Sequence, residues 1–144
     1  MKGSAKERLM ALFSDAAHIP PASRLFGFEL LDLDPEQRWV EAKFTARDEF
    51  LNPNGSVQGG IVTGFLDEAM SLAAFIASDL TAAVPTLEMK TSFLRPLFKG
   101  ECRARGTVLR LGRSVAFTEG RLFDAEGALC ATASATCAIR PLER

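Results

Sequence analysis

"LNPNGSVQGGIVTGFLDEAMSLAAFIA", residues 51–77, decides how the rest of the chain folds. It opens on the turn formers Asn52, Pro53, Asn54, Gly55 and Ser56, then reaches the glycine pair Gly59 and Gly60. From about residue 59 to 78 the pattern predicts a helix. Ile61, Phe65, Leu66, Met70, Leu72, Ala73, Phe75 and Ile76 cover nearly every side of it. A helix that is apolar all round belongs in an interior. Asp67 and Glu68 interrupt the apolar run, so the segment reads as a core helix rather than a membrane-spanning one. Burying an unpaired carboxylate is costly, so these two residues need a reason to be there.

The sequence on either side supplies a cover for that helix. Residues 4–17 read as an amphipathic helix, with Leu9, Leu12, Phe13 and Ala16 on one side, and "HIPPAS" ends it. "FGFELLDLD" and "RWVEAKFTA" read as two strands joined by the turn "DPEQ". In the second, Val40, Ala42, Phe44 and Ala46 alternate with Trp39, Glu41, Lys43 and Thr45, which gives one apolar face. After the helix come four more strands, at about 84–95, 99–111, 113–124 and 127–139. Their hairpin signals are "RPLFKGE", "LGRS" and "DAEGA". The last strand carries small residues on both faces, which suits close packing against a neighbour. The predicted class is α+β: one antiparallel sheet wrapped around one long central helix. With 144 residues and no internal linker, the whole of 1–144 is expected to form one domain, with 1–22 its N-terminal helix and Pro break.

Composition narrows the function classes. Apolar residues make up 47% of the chain and the formal net charge is -1, with Lys and Arg scattered. Nucleic acid and anionic membranes favour a basic patch, so neither is expected as a partner. Cys102, Cys130 and Cys137 show no metal-ligand spacing and read as reduced, buried thiols. The single histidine, His18, rules out a multi-His zinc site and leaves any His-based triad dependent on one distant residue. No metal is expected. The N-terminus lacks the apolar core of an export signal, so a cytoplasmic location is expected.

Carboxylates, hydroxyls, amides and the backbone therefore carry the candidate chemistry. Gly59 and Gly60 stand where a helix presents free N–H groups, and glycine lets a ligand oxygen approach them. A thioester carbonyl held there would be polarised. Equally, a glycine pair can simply start a helix. Asp67 follows two turns later, about 12 Å along the axis, with Thr63 and Ser71 on its face. Glu68 points roughly 100° away. The two carboxylates can also be read as an exposed stripe. Asn52 and Asn54 suit local turn hydrogen bonds, and Gln58 can donate or accept but cannot titrate.

The spacing of Asn52, Gln58-Gly59-Gly60 and Asp67 resembles the signature of hot-dog fold acyl-CoA thioesterases, nearest the phenylacetate-pathway (PaaI-like) type. "LEMKTSFLRPLFKGE", with Pro96 and Gly100, and "LGRSVAFTEGRLFDAEGALCATASATCAI" resemble the family's later strands. The similarity covers roughly residues 24–140. It implies hydrolysis of an aromatic or medium-chain acyl-CoA to free acid and CoA, with CoA part of the substrate and no separate cofactor. Asp67 matches the catalytic carboxylate, as nucleophile or as base toward water. Gly59 matches the oxyanion donor, with Gly60 beside it. Asn52 matches a side chain that holds water or substrate. Thr86 matches a hydroxyl on the facing subunit, Ser71 a hydroxyl one turn after the carboxylate, and Arg113 a contact for the CoA phosphates. Gln58 departs from the family's usual histidine, keeping a hydrogen bond and losing a titratable ring. The resemblance also implies a homodimer or a homotetramer built as a dimer of dimers. Two other functions stay open: a non-catalytic acyl-CoA- or lipid-binding protein, and an acyl-thioester dehydratase or hydratase. Phe50, Phe65, Met70, Phe75 and Phe93 are candidates for an apolar acyl pocket, or for core.

Overall fold

A computed structural model describes residues 3–143. Helix α1, Ala5–Ser14, is closed at its start by a capping box in which Ser4 and Glu7 satisfy each other's backbone N–H groups. It is shorter than the pattern predicts, because Asp15 caps a separate 3₁₀ turn at Ala16–His18. The Pro pair does more than stop a helix. Pro21 is the first residue of a short helix α2, Pro21–Leu25, where a missing N–H costs nothing.

Strands β1 (Glu29–Asp34) and β2 (Trp39–Ala46) precede the long helix α3, Gly59–Ala77. The two-residue β3 (Ala82–Ala83) follows, then β4 (Thr86–Phe93), β5 (Gly100–Leu111), β6 (Val115–Asp124), β7 (Leu129–Ala138) and the two-residue β8 (Arg140–Pro141). Six of these form one antiparallel sheet in the order β1-β2-β5-β6-β7-β4, and β3 pairs with β8. Neither β3 nor β8 has a pattern long enough to read in sequence.

The sheet curls around α3, which packs on β2, β5, β6, β7 and β4. Val40, Ala42, Phe44 and Ala46 all point inward, as their alternation requires. Phe44 stacks on Phe65 with ring centroids 4.9 Å apart, and Phe26 and Phe50 meet the same ring edge-on. A notch seats the helix. Gly106 and Gly120 lie directly opposite each other on β5 and β6. A Cβ at Gly106 would stand 2.5 Å from the Ala69 backbone, and one at Gly120 would stand 2.7 Å from the Met70 sulfur.

α3 is long and apolar enough to cross a membrane, but it lies against the sheet. Its burial is one-sided rather than complete. Val62, Phe65, Leu66, Ala69, Met70, Ala73, Ala74 and Ile76 are buried, while Thr63, Gly64, Asp67, Glu68, Ser71, Leu72 and Phe75 are half-covered. A single sheet reaches only one side of a helix. Over part of the other side lies Phe26, whose ring would be 3.0 Å from a Cβ at Gly64.

Candidate active site

Asp67 points to the edge strand β4. Its Oδ1 accepts hydrogen bonds from Thr86 Oγ1 at 2.6 Å and from Ser71 Oγ at 3.4 Å. Both donors sit on the same oxygen, which leaves Oδ2 without a side-chain partner among the described residues. One turn earlier Thr63 donates to Thr91 at 3.0 Å. A further turn back, a Cβ at Gly59 would be 3.1 Å from the tip of the Phe93 ring. The stripe Gly59, Thr63, Asp67, Ser71 thus runs along β4 with Phe93, Thr91 and Thr86 facing it. Spacing by four places the first set on one helix face, and alternation places Thr91 and Phe93 on one strand face.

The helix start is an open donor site. Gln58 is its N-cap and makes no side-chain cap bond, and the Gln58 carbonyl accepts from Ile61 and Val62. Among the described residues nothing accepts from the N–H groups of Gly59 and Gly60. They carry the partial positive charge of the helix end.

Other candidates are placed differently. Asn52 uses its side chain inside the loop: Oδ1 accepts from the N–H groups of Asn54 and Ser56, and Nδ2 donates to Ser56. Thr86, which the resemblance sets on a facing subunit, bonds Asp67 of its own chain. Arg113 is exposed in the β5–β6 turn, at the end of the sheet where Ala116, Cys137 and Thr86 align. That is the far end from Gly59, so the structure does not join Arg113 to the helix start. His18 pairs with Asp15 at 3.0 Å on the N-terminal turn. All three cysteines are free and buried, and burial pushes the Cys102 thiol up to about 12.

Glu68 takes the other side of α3. Burial pushes its carboxyl above the usual carboxylate range. The Ser23 hydroxyl opposes that shift, and the Asp67 charge adds to it. Thr91, Ser23 and the nearness of the Phe93 ring to Gly59 were not singled out in the sequence. Thr91 was accessible there, being in phase with Phe93; Ser23, far from Glu68 along the chain, carries no such signal.

An antiparallel sheet around one helix, with a carboxylate facing the edge strand and free N–H groups at the helix start, defines the hot-dog class. The thioesterase superfamily description matches residues 54–131. A relative from Saccharolobus solfataricus named "Putative esterase" is 34% identical over 115 residues, covering 78% of this chain and 80% of its own. The solved structure of a Ralstonia eutropha phenylacetic acid degradation-related protein is 33% identical with a TM-score of 0.79, covering 94% of this chain and 99% of that one. A Streptococcus mutans protein solved with acetyl-CoA shares the fold alone, at 17% identity and a TM-score of 0.72, with 81% of this chain and 91% of that one covered. The chain belongs to the thioesterase superfamily.

Proposed function

We propose that the protein is a cytoplasmic acyl-CoA thioesterase, releasing free acid and CoA from an aromatic or medium-chain acyl-CoA without a separate cofactor. The observation that carries this reading is the Asp67 carboxylate. Two hydroxyls hold Oδ1 and Oδ2 stays available, on the same helix face as the free Gly59 N–H. The carbonyl oxygen of the thioester accepts from Gly59, which favours the charge that develops there. Asp67 Oδ2 then takes a proton from the attacking water, or attacks the carbonyl carbon itself to give a mixed anhydride, which a water later hydrolyses to the free acid, restoring the carboxylate. The C–S bond breaks and the CoA sulfur leaves as thiolate or, once protonated, as thiol. The acetyl-CoA on the Streptococcus mutans protein supports a CoA thioester as the substrate class.

Eight residues of helix separate Gly59 from Asp67, about 12 Å, so one chain's carboxylate is out of reach of a carbonyl on its own Gly59. A homodimer resolves this. Strand β4 is the sheet's last strand, eight residues without proline, paired among the described residues only with β7, and its Leu87 and Phe93 are each 56% exposed. Such an edge favours pairing with another strand. Two copies of β4, antiparallel about a two-fold axis, bring the Thr86 end of one to the Phe93 end of the other. Asp67 of one subunit then faces Gly59 of its partner.

The test is free-thiol release from phenylacetyl-, 4-hydroxybenzoyl-, acetyl-, hexanoyl- and palmitoyl-CoA, with Asp67→Asn alongside. Turnover is expected with the aromatic or medium-chain esters, and the variant should lose it by roughly a hundredfold or more. Activity retained in Asp67→Asn would remove the carboxylate from its role. Gln58 in the usual histidine position keeps one other reading in view, a binding protein that holds acyl-CoA intact. Binding by calorimetry without thiol release would select it.

A further inference from the structure

Four of the five apolar residues that sequence offers for an acyl pocket are committed to packing. Phe50, Phe65 and Met70 are buried, and Phe75 packs edge-on against Phe13 of α1, which leaves Phe93 exposed. The charged residues on the far face of the sheet are not so committed. Ala104 and Leu122 are fully buried in the core around α3, so their neighbours Arg103, Arg105, Arg121 and Phe123 face the other way. There they line a groove of about 800 Å³, bounded at one end by the β6–β7 turn at residues 124–127. The register sets Arg105 directly opposite Arg121, and Arg103 opposite Phe123. Three arginines thus hold three corners of one square, and like charges set opposite each other destabilise a sheet.

Only one of the three is paired. The Arg105 guanidinium leans toward β2, 3.9 Å from the centre of the Trp39 ring and 3.6 Å from the Glu41 carboxylate. Among the described residues, neither Arg103 nor Arg121 has a carboxylate within 4.0 Å. The other acidic residues of the groove do not answer them. Asp124 accepts from the N–H groups of Glu126 and Ala128 in its own turn, and Glu119 and Glu126 form no ion pair among the described residues. Past Arg121 the groove continues across β7 to β4, where Lys90, Ser92 and Thr132 line it. Thr132 stands between Arg121 and Ser92 in the register.

We infer that this groove is a second binding site, for an organic phosphate, separate from the cleft along α3. A guanidinium presents its donors in a fixed fork that matches phosphate oxygens. A phosphate between Arg103 and Arg121 also offsets the repulsion among the arginines. Phe123, half-buried at the fourth corner, offers a flat apolar surface to the organic part, and Glu119 offers an acceptor to a hydroxyl. A nucleoside monophosphate combines those three features. The nucleotide end of CoA has the same chemistry, but the sheet lies between this groove and the Asp67 stripe. The inference does not depend on the thioesterase reading.

The experiment titrates the full chain with AMP, adenosine and inorganic phosphate by calorimetry. Wild type is compared with Arg121→Gln, Arg103→Gln and Arg140→Gln, the last removing the same charge from an exposed position on β8. AMP is expected to bind, and adenosine, which lacks the phosphate, to bind at least about tenfold more weakly. Arg121→Gln and Arg103→Gln should each lower AMP affinity about tenfold, and Arg140→Gln less than about twofold. AMP is then titrated into protein saturated with a non-hydrolysable ketone analogue of hexanoyl-CoA, which carries a methylene between sulfur and carbonyl. Unchanged AMP affinity is expected. Competition would put the nucleotide end of CoA in the groove and overturn a separate site. Equal losses in Arg121→Gln and Arg140→Gln would reduce the effect to overall charge and overturn it as well. Absence of AMP binding at millimolar concentration overturns the inference outright. An analogue that does not bind counts against the thioesterase reading alone, since the AMP titrations still decide the groove.

Discussion

Asp67 and Glu68 are adjacent in the chain, yet about 100° of helical rotation separates them. Asp67 meets the hydroxyls of Thr86 and Ser71. Glu68 turns toward Ser23 on α2, where burial raises its carboxyl. That difference has a pH signature. A carboxyl raised in the fold binds more protons there than in the unfolded chain, so ionising it lowers stability. The cost appears as pH rises above the ordinary value of 4.5 and is complete above the folded value. Glu68→Gln removes the ionisation and keeps a side chain able to meet Ser23. It should therefore raise the melting temperature at pH 7–8, with the gain shrinking as pH falls toward 4. Thermal melts across that range check it, and an equal gain at every pH would remove burial of the charge as the cause.

At the scale of elements, α3 and the six long strands were legible because their periods are strong. Val40, Ala42, Phe44 and Ala46 are all buried, and α3 spans Gly59–Ala77 against an expected start at about 59 and end at about 78. The element missed at the N-terminus, α2, starts at a proline, and Pro reads equally as a stop or as a first turn. The extent of burial of α3 was overread, since a pattern of apolar residues shows which sides want cover and not whether one sheet supplies it. The candidate site was legible as residue types on a helix face. Its cross-strand partners were not, because the register of β4 against α3 arises from packing. Nor does sequence reveal why β5 and β6 carry opposed glycines. The structure assigns them to the seat of α3, and the kind of neighbour sets the cost of filling it. At Gly106 the obstruction is the Ala69 backbone, which cannot swing aside; at Gly120 it is chiefly the flexible Met70 side chain. Gly106→Ala should lose about 3 kcal/mol, a drop on the order of 10 °C in melting temperature, and Gly120→Ala should lose clearly less. Denaturant melts of the two variants would expose an error if their order were reversed.

For the whole molecule the question is whether one chain holds one complete site. Gly59→Pro removes the donor, and because its Cβ would also stand 3.1 Å from the Phe93 ring tip, Gly59→Ala, which adds the same Cβ and keeps the N–H, runs beside it as the control. Proline suits the first position of a helix, and Gln58 already has φ -57° and ψ 139°, the geometry that a residue before proline adopts. The substitution removes the N–H and should cost about a hundredfold or more in turnover. Asp67→Asn removes the carboxylate. Each variant alone is expected to be nearly inactive. On the proposed dimer, co-expression in equal amounts makes mixed dimers in which the two lesions fall together in one shared site and spare the other. With half of the dimers mixed, and one intact site of two in each, roughly a quarter of wild-type activity should return. A site contained in one chain gives no recovery at any mixing ratio, because every chain then carries a lesion. Recovery near a quarter would also explain why α3 leaves its Asp67 stripe half-covered and why β4 ends the sheet with an unpaired edge. On the proposed dimer, both would be surfaces that a second copy completes, and the carboxylate would sit in an apolar helix because catalysis would take place where the two copies meet.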